Sequence, residues 1–164
     1  MAAEAGPPDA YSTALRLLGI RDLSEQQLRQ RLARRRCDAD DVERALGRLR
    51  EQGYLDDRRV ADAVARTQTA VHQRGRQRVM RQIQQAGVSS DTARQAVARA
   101  FDGIDEDALA TAALDRRLRG RPIEDDRTMQ RLYRYLTAQG FDHSRALRVL
   151  RARRAHGVTD ADDA

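Results

Sequence analysis

A chain of 164 residues with a net charge of +6, 4% aromatic residues, no Trp and one cysteine can form a core unaided, because a compact domain of that size buries about 70% of its chain surface. Cys37 stands alone, which excludes an intramolecular disulfide and a cysteine-rich metal site, and no stretch approaches the roughly 20 apolar residues that span a bilayer. All 31 basic residues are Arg, and the abundance of Ala, Leu, Arg and Gln predicts an all-α protein with small, closely spaced cores.

Residues 1–10, with Pro7 and Pro8, read as a disordered lead without the basic and apolar regions of a secretory signal, which predicts a cytoplasmic protein. A short helix over Tyr11 to Leu18 follows. Ser24 is placed to cap a helix running to about Arg35 with Leu28 and Leu32 on one face, and Asp38 to cap Ala39 to Gln52. Gly53 is suited to end that helix, and Asp56 to cap the next, from Asp57 to about Val71. Between them Tyr54 and Leu55 are large apolar groups in a polar connection, expected to plug a seam between successive units. A helix carrying Val79 and Ile83 comes next, and another spans Asp105 to about Arg119. Residues 157–164 read as an acidic disordered tail.

Three places along the chain repeat one pattern. With Arg36, Gly87 and Gly140 as position zero, Leu28, Val79 and Leu132 stand eight residues earlier, and Leu32, Ile83 and Leu136 four earlier. One residue later come Cys37, Val88 and Phe141, then the caps Asp38, Ser89 and Asp142. At plus six, nine and ten stand Val42, Ala45 and Leu46, then Ala93, Ala96 and Val97, then Ala146, Val149 and Leu150. The spacings of 51 and 53 residues predict three tandem helix-turn-helix-like repeats of three helices each, over 11–56, 57–104 and 105–156, stacked into an elongated curved array. Phe141 is expected to serve its unit as Tyr54 and Leu55 serve theirs.

The candidate chemistry is basic. His72, His143 and His156 share no metal-ligand spacing, and no Gly-rich phosphate loop or Gly-x-Ser-x-Gly elbow occurs. Cys37 occupies a core position of the repeat. No catalytic residue, cofactor or metal is therefore expected. Charge is uneven: residues 57–100 hold 9 Arg against 3 acids, whereas 1–56 and 101–164 are balanced, which points to an anionic partner. Arg74, Arg76, Arg78 and Arg81 cluster where a helix begins, and guanidiniums with exposed amides make an anion site. Arg58 and Arg59, and Arg116, Arg117 and Arg119, fall near unit junctions and complete the expected binding set. Few aromatics are free to stack on bases, so any contact with nucleic acid is expected to grip phosphate.

Gly53-Tyr54-Leu55-Asp56-Asp57 with Arg59 and Ala61, Arg74-Gly75 with Arg78-Val79, Arg21 with Ser24-Glu25 and Leu28, and Gly140-Phe141 resemble the RecX family, regulators of the RecA recombinase. Val60 stands where an aromatic is common in that family, and Gln27 where Glu is common. The resemblance covers about Ala14 to Leu150. It implies a non-enzymatic protein that binds along the groove of the RecA–DNA filament, inhibits ATP hydrolysis and strand exchange, and favours disassembly. Such a protein would modulate homologous recombination, DNA repair and the SOS response. The basic middle stretch, which has no acid between Asp62 and Asp91, would meet either DNA phosphate in the filament or acidic protein surface. Monomer is the expected state. The competing reading from the residues is a free-standing, non-sequence-specific DNA-binding helical module, which predicts salt-dependent affinity for DNA alone.

Overall fold

The structure, a computed structural model, describes the backbone over residues 8–162 and side chains through residue 155. The described residues form nine α-helices and no strand: α1 (Ala10–Ile20), α2 (Glu25–Arg34), α3 (Ala39–Glu51), α4 (Asp57–Arg66), α5 (Arg76–Gln85), α6 (Ser90–Ala100), α7 (Glu106–Leu118), α8 (Asp126–Ala138) and α9 (His143–Asp162). Most of the expected disordered lead, residues 1–7, lies outside the described residues; Asp9 caps α1, accepting from Ser12 N at 2.8 Å. The expected tail is helical as far as Asp162, and Asp163 and Ala164 lie outside the described residues.

Local chemistry sets the helix starts. Ser24 and Gln27 form a reciprocal capping box, the Ser24 hydroxyl accepting from Gln27 N at 3.1 Å and the Gln27 amide oxygen from Ser24 N at 3.3 Å. Gln at position 27 thus fills the place where Glu is common. Asp38, Asp56 and Asp105 each accept from two amides of the following turn.

The repeat is visible in the turns themselves. Arg36, Gly87 and Gly140 all have positive φ, at 58°, 83° and 95°. The next residue's amide reaches back to the carbonyl five residues earlier: Cys37 to Leu32 at 3.3 Å, Val88 to Ile83 at 3.4 Å and Phe141 to Leu136 at 3.2 Å. That is the same left-handed helix ending built three times, and Arg36 adopts it without being glycine. Every apolar residue of the repeat pattern is buried except Cys37, which is half-buried against the core.

By contact density the chain divides into two compact units, 1–63 with 83–96, and 64–82 with 97–164, so α4, α5 and α6 are each shared. In the first unit, α1, α2 and α3 enclose a core that includes Leu17, Leu28, Leu32, Leu46 and Leu55. The buried Ser24 hydroxyl also donates to Ala86 O, and Asp57 accepts from Glu25 N at 2.8 Å, so the α5–α6 turn and the start of α4 are tied to the start of α2. In the second unit, α7, α8 and α9 enclose Leu114, Leu132, Leu136, Phe141 and Leu150.

Two expectations need correction. Leu55 is 4% exposed and Phe141 2%, but Tyr54 is 53% exposed, so Tyr54 plugs nothing. Tyr54 and Leu55 are adjacent in a tight ending where both amides point back to Leu49 O, at 2.9 and 3.2 Å, and only one of the two side chains turns into the core. Tyr54→Ala is accordingly expected to change stability by no more than about 0.5 to 1 kcal/mol. Thermal unfolding checks this, and a loss as large as the 3 to 5 kcal/mol of a buried aromatic would contradict the exposed position. The second correction is local: after Arg66 the helix widens into a π-helical stretch, Thr67–Val71, in which buried Thr69 donates its hydroxyl to Ala65 O at 2.8 Å.

Candidate functional site

The start of α5 was the strongest sequence candidate for an anion site, and the fold uses it otherwise. Gly75 N donates to Gln139 O at 2.9 Å and Gln77 N to Gly140 O at 3.2 Å. The Arg78 guanidinium donates to Ala138 O at 2.9 Å. Amides expected to be open to an anion are thus taken by the carbonyl end of α8, and the negative end of that helix offsets the cations gathered there. Arg76 is also committed, its Nε donating to Glu106 at 2.6 Å while its guanidinium lies 4.7 Å from the centre of the Phe101 ring. Arg74 is half-buried, with Nε and Nη1 unpartnered; burial, helped by the neighbouring Arg78, holds its guanidinium below its ordinary value. Of the four, Arg81 alone is exposed without an ion pair among the described residues.

A different basic surface lies at the end of α7 and along α8. Arg116 reaches Val71 O at the 3.5 Å edge of hydrogen-bond range, and Arg117 lies 5.5 Å from the centre of the Tyr135 ring. Arg119 ends α7 in the left-handed conformation, φ 52°. Arg117 and Arg119 line a hollow of about 520 Å³ with Arg121 and Arg131. Arg131 then joins Arg127 and Arg134 around a second hollow on α8. Arg127, Arg131 and Arg134 were missed as candidates, yet their i, i+4, i+7 spacing marks one helix face. They were hidden because the charge of residues 101–164 sums to zero.

The structure resolves that sum. On α9, Arg145 pairs with Glu106, Asp107 and Asp142 at 3.2, 2.8 and 2.5 Å. Arg148 pairs with Asp107 at 2.6 Å, Arg153 with Asp115 at 3.0 Å and Arg154 with Asp126 at 2.7 Å. Five carboxylates, Glu106, Asp107, Asp115, Asp126 and Asp142, are thus engaged by α9. Asp107 is held at about 2, from an ordinary 3.8, by the Arg148 hydrogen bond first and Arg145 second. A carboxylate lowered on folding stabilises the fold above its unfolded value, and that contribution is lost as pH falls from about 4 towards 2. The loss of thermal stability over that window should therefore be smaller in Arg148→Gln than in the parent, and identical acid profiles would contradict the pairing.

In the first unit, Arg59 is held by Asp22 at 3.1 Å and by the carbonyls of Gly53 and Tyr54, whereas Arg58 is exposed without an ion pair among the described residues. Among the described residues no group of three or more His, Cys, Asp or Glu could hold a metal ion, and no helix is long and apolar enough to cross a membrane.

Comparison with known proteins places this architecture. The RecX first three-helix domain matches residues 10–49, which are α1, α2 and most of α3. Regulatory protein RecX of Syntrophotalea carbinolica is 33% identical over 135 residues, 81% of this chain and 88% of its own. The chain belongs to the RecX family. Regulatory protein RecX of Acidithiobacillus ferrooxidans is likewise 33% identical, over 89% of this chain and 91% of its own length. RecX from Lactobacillus salivarius, solved by crystallography, has the same fold, with a TM-score of 0.75 over 87% of this chain and 93% of that one at 14% identity. A second crystal structure of a regulatory protein RecX gives 0.72 over 85% of this chain and 69% of its own at 25% identity.

Proposed function

We propose that this chain is a negative regulator of the RecA recombinase that binds along the groove of the RecA–DNA filament, inhibits its ATP hydrolysis and strand exchange, and favours disassembly. It has no reaction of its own in this reading. It acts as a monomer in the cytoplasm and modulates homologous recombination, DNA repair and the SOS response. The observation that carries the proposal is family membership over most of the chain, 33% identity covering 88% of the relative's length. Arginines exposed without ion pairs among the described residues, such as Arg58, Arg81 and Arg131, support it by offering charge to a polyanionic assembly. Contact with DNA phosphate is weak and non-specific, and repeated small contacts along a polymer add through effective concentration.

The test is fluorescence anisotropy of the labelled protein against preassembled RecA filaments on single-stranded DNA and against the same DNA naked. Filaments are expected to be bound at least about tenfold more tightly, a difference of about 1.4 kcal/mol. Equal affinity for both would instead favour a free-standing DNA-binding module.

A further inference from the structure

The geometry points to the α7–α8 turn and the outer face of α8 as the surface that grips the phosphodiester backbone of nucleic acid, through Arg119, Arg121, Arg127, Arg131 and Arg134 with Arg117 at its edge. It deepens the proposed role, on which it rests for its biological setting, by assigning the place of phosphate contact.

The first observation is the partition of charge within the second unit. Four of the α9 arginines, Arg145, Arg148, Arg153 and Arg154, are paired with carboxylates of α7, α8 and the α8–α9 turn, so most of the charge on that side is compensated. Arg119, Arg121, Arg127 and Arg131 are exposed and make no ion pair among the described residues, and Arg134 reaches only Gln130 O of its own helix at 3.5 Å. The acids beside them offset only part of that charge. Asp126 is paired with Arg154, Asp125 caps α8 and feels Arg131 and Arg127 only at longer range, and Glu124 stands on the wall of the hollow.

Placement is the second observation. Cations at the carbonyl end of a helix stabilise it, which accounts for Arg116 and Arg117 on α7. Arg127 lies in the first turn of α8, where the helix dipole favours anions, so helix stability gives no reason for it. An external anion does. From Arg127 to Arg134 the helix rises about 10 Å, and a duplex presents about one charge per 1.7 Å of its axis, so several phosphates lie within reach of the row.

Composition decides between nucleic acid and an acidic protein. A stable protein interface has an apolar, often aromatic centre. None of the exposed large hydrophobics, Ile20, Tyr54 and Val71, lines its hollows, and Leu118, Ile123 and Leu132 beneath it are buried. An array of guanidiniums without apolar anchors suits a uniform polyanion. It also provides no exposed aromatic to stack on a base, so binding is indifferent to sequence.

The test is Arg127→Gln/Arg131→Gln/Arg134→Gln, with Arg148→Gln/Arg153→Gln as a control on the paired side, both checked by circular dichroism and thermal unfolding. Binding to a mixed-sequence oligonucleotide, single-stranded and then duplex, is measured from about 50 to 200 mM salt without recombinase. The triple variant is expected to bind more weakly on every sequence, with the slope of log K against log salt reduced by about 2 to 3, while the control keeps the parent slope. An unchanged slope in a folded triple variant overturns the inference, as does a parent protein that binds neither oligonucleotide at 50 mM salt. So does a triple variant that keeps its DNA affinity but loses affinity for DNA-free RecA, which would make the face a protein-docking surface. Because naked DNA is used, failure here is distinct from failure of the regulator reading, which is judged on filaments.

Discussion

Gly75→Ala is expected to lower stability by about 3 kcal/mol or more and the thermal midpoint by roughly 10 °C. A Cβ on Gly75 would stand 2.6 Å from Phe141 N and still closer to the Gly140 carbonyl, all backbone atoms that cannot rotate away. Gly75 has an ordinary φ, so the substitution tests close approach alone. At Gly140 both constraints act together, since φ is +95° and a Cβ would meet Arg78 at 2.6 Å from its Cβ. Separating the two strands of backbone also breaks the Gly75–Gln139 and Gln77–Gly140 hydrogen bonds, each contributing about 1 kcal/mol. Gly47→Ala is the control: it lies inside α3, a Cβ there meets nothing within 4 Å, and about 0.5 to 1 kcal/mol of added stability is expected. Equal midpoints for the two variants would mean that the α5 start does not dock on the α8–α9 turn.

Arg145→Met is expected to cost about 2 to 3 kcal/mol at neutral pH. Arg145 is 22% exposed and holds Glu106, itself 13% exposed, together with Asp107 and Asp142. Breaking a buried ion pair costs about 3 to 5 kcal/mol because the remaining charges lose their compensation, and the 40% and 41% exposure of Asp107 and Asp142 discounts that figure through solvent screening. The penalty should shrink as pH falls towards 3, because Asp107 and Asp142, whose carboxyls Arg145 helps to hold below their ordinary value, take up protons at higher pH without it. Adding Glu106→Gln should recover part of the loss. A penalty that is the same at pH 3 and pH 7 would assign it to lost packing of the side-chain stem.

The helices and their caps were legible because their determinants are local. Ser24, Asp38 and Asp56 bond to amides two or three residues away, and the repeat exposes itself through spacing alone. Arg36, Gly87 and Gly140 share one turn, so the same carbonyl-to-amide bond could be anticipated at all three. The arginines were not legible in that way. Arg78 meets Ala138 across 60 residues and Arg145 meets Glu106 across 39, and no periodicity within one helix announces such partners. The charge count misled for the same reason. It credited the α5 start with free cations, two of which are committed to Glu106 and Ala138, and it cancelled the α8 arginines against acids that α9 occupies. Tyr54 was misplaced because a large residue after a helix-ending glycine can face either way, and here its neighbour Leu55 takes the inward position.

Single-stranded-DNA-dependent ATP hydrolysis by preassembled RecA filaments, with this protein titrated from well below stoichiometry and its binding to DNA alone followed in parallel, tests the central claim most directly. The account predicts that hydrolysis falls at substoichiometric protein, at concentrations where naked DNA is still largely unbound. Hydrolysis that falls only once there is enough protein to coat the DNA would contradict it.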